Sequence, residues 1–166
     1  MGFWLGASLV APEAEASEKK KDKPKAIERI RVHVESRRDL KERTLPAVVG
    51  RSNPSEYWIE KLPILNEIHL DRAVFHEELG GFAVELQFDS MGTKLLESHS
   101  SAAAGRHLVV ATEIDGETRW LAAPLMRKRL GDGRLVFSPD ASREETERMV
   151  KDLNAAVKKR KSQWLK

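Results

Sequence analysis

Residues Gly80 to Gly105, "GGFAVELQFDSMGTKLLESHSSAAAG", decide the fold class. Phe82, Val84, Leu86 and Phe88 alternate with Ala83, Glu85 and Gln87, the period of a strand with one apolar face. The pattern then changes to helical spacing. Asp89 or Ser90 can accept a backbone N–H at the helix start, Leu95 and Leu96 face inward, and Gly105 supplies the stop. A strand that feeds directly into a helix predicts a small α+β domain, with helices packed on one face of a mixed or mainly antiparallel sheet.

Working outward, residues Leu70 to Glu77 form a second strand-like run, and the pair Gly80-Gly81 suits the positive φ of a tight turn, so 70–77 and 82–88 are expected to pair as a hairpin. On the C-terminal side, "RHLVVATEI" and "TRWLAA" flank Asp115-Gly116, a strong hairpin signal. Residues 107–123 are therefore expected to form one antiparallel hairpin, lying beside the 82–88 strand. Pro124 ends the second arm, a short segment around Leu125 and Met126 follows, and "GRLVFSP" gives a last strand through Leu135 and Phe137. Ser142 and Glu145 form an S-x-x-E capping box ahead of Met149, Val150, Leu153 and Val157. Lys158, Lys159, Arg160 and Lys161 suit the negative pole of that helix.

On the N-terminal side, Ile30, Val32 and Val34 alternate with Arg29, Arg31, His33 and Glu35, as in an edge or outer strand with a solvent-facing side. From Arg37 to Asn53 the pattern breaks, and Ser52-Asn53-Pro54 marks a turn. "SEYWIEKLPIL" has two open readings, a short helix ended by Pro63 and an extended segment.

The 166 residues, 40% of them hydrophobic, suffice for one apolar core. Residues 1–25 read as a flexible leader and 26–160 as a single α+β domain, with 161–166 as a basic tail. The leader combines an apolar start, a small-residue stretch around Ala14 and Ala16 and a run of lysines. It suits either a truncated export signal or an accidental apolar segment, so export or envelope association and a cytoplasmic setting both stay open. No run is long enough for an integral membrane span.

The composition removes several chemistries. There is no cysteine, hence no disulfide, thiolate nucleophile or cysteine zinc site. A net charge of +3, from 29 basic and 26 acidic groups, lacks the concentrated positive field of a nucleic-acid binder. The five histidines show no metal-ligand spacing. Ser98, Ser100 and Ser101 beside His99 lie on a helix without a nucleophile elbow, and the glycines form neither a phosphate loop nor a dinucleotide fingerprint. No catalytic, cofactor-binding or metal-binding residues are assigned, and no cofactor is expected.

Surface recognition is what remains. Trp120 has apolar neighbours on both faces of its strand, so it is either buried beneath another layer or exposed for contact. Arg119, Trp120 and Trp164 are the candidate interface residues, because aromatic and arginine side chains concentrate binding energy.

The order of elements from about Leu70 to Asn154 resembles the head of the first extracytoplasmic domain of SecD, the export component that acts with SecF. "VELQFDSMGTKLLE", "GRHLVVATEIDGETRWLAAPLM" and "DGRLVFSPDASREETERMVKDLN" carry the resemblance, through Gly92, Pro124 and the "SREE" helix start above all. It implies a SecD-head-like fold, and a noncatalytic module that binds polypeptide or an envelope protein. The alternatives are a structural accessory acting through self-association as a homo-oligomer and, further behind, a hydrolase.

Overall fold

The computed structural model describes residues 25–36, 42–114 and 116–164. The leader up to residue 24, Asp115 of the expected turn and the last two residues of the basic tail lie outside the described residues. Among the described residues nine strands and two helices follow one another: β1 (Ile30–Val34), β2 (Thr44–Val49), β3 (Ser55–Glu60), β4 (Leu65–Asn66), a 3-10 turn (Glu67–His69), β5 (Leu70–Glu78), β6 (Gly81–Phe88), α1 (Ser90–Ala102), β7 (Leu108–Ile114), β8 (Glu117–Ala122), β9 (Arg134–Phe137) and α2 (Arg143–Trp164).

The β5–β6 hairpin forms as the sequence indicates, with Gly80 at φ 85° in its turn. The chain then enters α1 through Asp89, whose carboxylate accepts the Gly92 N–H at 2.7 Å. Such a cap contributes about 1 kcal/mol. At α2 the capping box is complete: Ser142 Oγ accepts from the Glu145 amide at 3.2 Å, and Glu145 Oε2 accepts from the Ser142 amide at 2.8 Å.

The strands form antiparallel sheets in the orders β4-β1-β7-β8, β5-β6-β9 and β2-β3. The β7–β8 hairpin is present, with Thr112 opposite Arg119 and Ile114 opposite Glu117. Its expected position beside residues 82–88 is corrected: β7 lies between β1 and β8, while β6 lies between β5 and β9. Local alternation establishes that a strand exists but carries no information about a partner far away in the chain, and β1 supplies β7's second neighbour.

β1 is likewise not an edge. It is flanked by β4 and β7, and on its expected solvent side His33 and the following Glu35 meet β3 at Glu60 and Ile59. The β2–β3 layer buries Ala47, Ile59 and Val109, with Leu45, Val49, Tyr57, Trp120 and Ala123 packed around them. Of the two readings left open for "SEYWIEKLPIL", the extended one forms β3. Residues 44–49, read as an irregular stretch, form β2, because Pro46 sits in an edge strand where its missing N–H costs nothing.

The main core lies where the inner faces of the β1-bearing and β6-bearing sheets meet α1 and α2. Ile30, Val32, Leu86, Leu96, Leu108, Leu121, Met149 and Leu153 are all buried there. Each fully buried aliphatic side chain contributes about 1.5–3 kcal/mol.

Candidate functional site

Each open sheet edge exposes a row of backbone donors and acceptors, and how each edge is closed locates the candidate site. At the outer edge of β5, Asn154 of α2 stands in for a neighbouring strand. Its Oδ1 accepts from the Ala73 N–H at 2.9 Å and its Nδ2 donates to the Ala73 carbonyl at 2.8 Å. Arg160, farther along α2, donates to the carbonyls of Glu67 and Leu70. At the edge of β8, the Leu121 carbonyl takes the Asp140 amide at 2.7 Å. β2 is blunted by Pro46, and β4 has only two residues.

Among the described residues the edge of β9 has no such cover. Phe88 N–H donates to the Gly133 carbonyl at 2.9 Å. With Leu86 opposite Leu135 and Val84 opposite Phe137, alternation from that pair turns the N–H and C=O of Arg134 and Val136 away from β6. The Arg134 amide is taken by Asp132 Oδ1 at 3.2 Å. Among the described residues, the Arg134 carbonyl and both backbone groups of Val136 have no hydrogen-bond partner.

Beside this edge lies a cleft of about 600 Å3, within the usual range for a ligand site. Leu108, Met126 and Leu135 form its buried floor, Leu125 and Val136 its half-exposed walls, and Arg127, Lys128 and Arg134 part of its mouth. The wall opposite β9, residues 124–130, is held to the end of α1. Ser100 Oγ accepts from the Leu130 amide at 2.9 Å, Arg129 pairs with Glu97, and Met126 exchanges backbone hydrogen bonds with Arg106 and Gly105. The cleft is thus built before anything enters it.

Glu85, buried beside this cleft, is fully engaged by Gln87, His76 and, at 3.6 Å, Arg134. The Gln87 hydrogen bond, with help from His76 and Arg134, holds its carboxyl below the ordinary value against the opposing effect of burial.

The histidines do not converge. His33 is buried on β1, donates Nδ1–H to the Glu60 carbonyl at 2.8 Å and meets Trp120 edge-on. Burial pushes its pKa down, the Glu60 hydrogen bond opposes this, and Arg31 adds to the depression. His69 closes the cap of the 3-10 turn, His76 binds Glu85, His99 lies in α1, and His107 binds Glu35 at 2.7 Å. Among the described residues no group of three or more histidine or acidic side chains is placed to hold a metal ion.

Arg119 makes a two-pronged contact with Glu145, at 2.8 and 3.3 Å, and also donates to the Asp140 carbonyl. Arg51, from the β2–β3 turn, reaches the same Asp140 and Glu145. Hydrogen bonds from Arg119 and from the Ser142 amide lower the Glu145 pKa to about 2. Trp120 is half-buried between His33 and the β2–β3 layer, whereas Trp164, at the end of α2, is exposed. The three candidate interface residues are therefore not brought together. The open β9 edge was missed by the sequence reading, although Val136 standing between inward Leu135 and Phe137 was its visible sign.

No family model and no curated protein matches the chain. Among solved structures, "Structure and function of a membrane component SecDF that enhances protein export" aligns at TM-score 0.56 and 17% identity, over 78% of this chain and 63% of that one. "Crystal structure of SecDF in Super-membrane-facing form" aligns at TM-score 0.54 and 18% identity, over 78% of this chain and 19% of that one. The fold is SecDF-like. At this identity the likeness is one of architecture, an α+β domain with antiparallel sheets and helices on one face. The chain spans less than two thirds of the length of either SecDF chain. Among the described residues no helix is long and apolar enough to cross a membrane.

Proposed function

We propose that this chain is a noncatalytic binding module that takes an extended polypeptide segment as an added strand on β9. The observation that carries the reading is the pairing of Val136's outward backbone groups with a preformed apolar cleft beside them. Strand addition draws affinity from main-chain hydrogen bonds and specificity from pockets for alternate side chains, and this edge provides both. Protein traffic at the cell envelope is the setting we favour, since a similarly folded protein, SecDF, is described as a membrane component that enhances protein export. Arg119 and Trp120 enter as supports of α2 and of the β2–β3 layer, and Trp164 as a separate exposed contact.

Val136→Pro tests the reading. The substitution removes only a donor that faces away from β6, so the β6–β9 ladder and the melting temperature should be retained. Binding of extended apolar peptides, measured by fluorescence anisotropy, should weaken at least about tenfold, combining a lost hydrogen bond with the ring's obstruction of the edge. Unchanged affinity in a folded variant would place the peptide elsewhere. Concentration-dependent dimerisation of the parent chain, abolished by Val136→Pro, would instead make a second copy the occupant.

A further inference from the structure

The cleft carries more information than its shape, because its charges are unequally used. Glu85 is occupied by His76, Gln87 and Arg134, and Asp132 accepts the Arg134 amide. Glu85 thus has its charge answered inside the fold, whereas the exposed Asp132 accepts only a neutral amide and keeps its charge. The cations at the mouth differ: Arg134 stands 3.6 Å from Glu85, whereas Arg127 and Lys128 are exposed and form no ion pair among the described residues. Elsewhere on the surface some cations, such as Arg29, Arg129 and Lys161, meet a carboxylate, and others, such as Arg72, Lys94 and Lys158, form no ion pair among the described residues. Among the described residues the unpaired charges at the cleft are Arg127 and Lys128 against Asp132, a positive balance that borders an apolar floor.

We infer that the segment accepted by β9 is one in which apolar residues alternate with, or are flanked by, carboxylates. The inference rests on the strand-addition reading and deepens it. A strand laid against Val136 presents alternate side chains to opposite faces. One set meets Leu108, Met126 and Leu135, which favour aliphatic or aromatic groups. The other set shares the face of Arg134 and Val136, where a carboxylate beside Arg134 makes a favourable cross-strand pair. Carboxylates at either end meet Arg127 and Lys128. A lysine-bearing segment of the same apolar pattern would meet the like charges of Arg127 and Lys128, so the mouth selects against it as well as for its acidic counterpart.

Two synthetic hexapeptides test this, one alternating valine with glutamate and one alternating valine with lysine, each titrated against the full chain at low and high salt. The valine–glutamate peptide should bind at least about tenfold more tightly at low salt, and the difference should shrink as salt screens the rim. Arg127→Glu combined with Lys128→Glu should reverse the preference while leaving the melting temperature unchanged, because neither side chain has an ion-pair partner to lose. Equal binding of both peptides, weakened by Val136→Pro, would overturn the charge selectivity and leave strand addition standing. Failure of both peptides to bind would overturn the two together, as would a stable dimer that occupies the edge.

Discussion

Single residues set how closely this fold packs and which edges it closes. At Gly92 a Cβ would come within 2.8 Å of Phe88 Cβ and 2.9 Å of His69 Cβ, so α1 can follow β6 this tightly only with glycine there. The position stood out in sequence through its place in the SecD-like pattern, but its reason is a contact with His69, far back in the chain. Asn154 gave no comparable signal, since an asparagine on a long polar helix reads as surface. It satisfies both backbone groups of Ala73. Asn154→Leu should cost about 2 kcal/mol or more by leaving a buried donor and acceptor unpaired, read as a lower urea midpoint with unchanged slope. It should also promote association through the uncovered β5 edge.

Elements with strong local chemistry were legible in the sequence: the β5–β6 and β7–β8 hairpins, the Asp89 cap and the Ser142–Glu145 box all form where their residues indicate. The β2–β3 layer was not. Pro46 disguised one strand, and β3 fitted an extended segment only nearly as well as a short helix. Without that layer, β1 reads as an outer strand and His33 as exposed. The layer is tied to α2 through Arg51 and Glu145, and α2 to β8 through Arg119 and Glu145. Glu145, with its pKa lowered to about 2 from 4.5, contributes stability that is fully present above about pH 4.5 and lost as pH falls toward 2. Glu145→Gln should therefore lower the melting temperature at pH 7, and its deficit against the parent should shrink steadily between pH 4.5 and pH 2.

At the scale of the whole molecule, the α+β class and the SecD-like arrangement could be inferred from the order of strand and helix signals, whereas sheet membership could not. Two sheets share one core, and which strand joins which sheet depends on pairings such as β1 with β7, which join residues far apart in sequence. The candidate site depends on that same assembly. It is an edge left open by the register of β6 and β9, walled by a segment anchored on α1, and neither feature belongs to a motif. The most direct test is residue-resolved amide hydrogen exchange with and without a bound extended peptide. In the free chain the account predicts rapid exchange at Val136 between slowly exchanging Leu135 and Phe137, and slow exchange at Val136 once peptide is bound. A Val136 amide already protected in the free monomer, or still unprotected at saturating peptide, would contradict it.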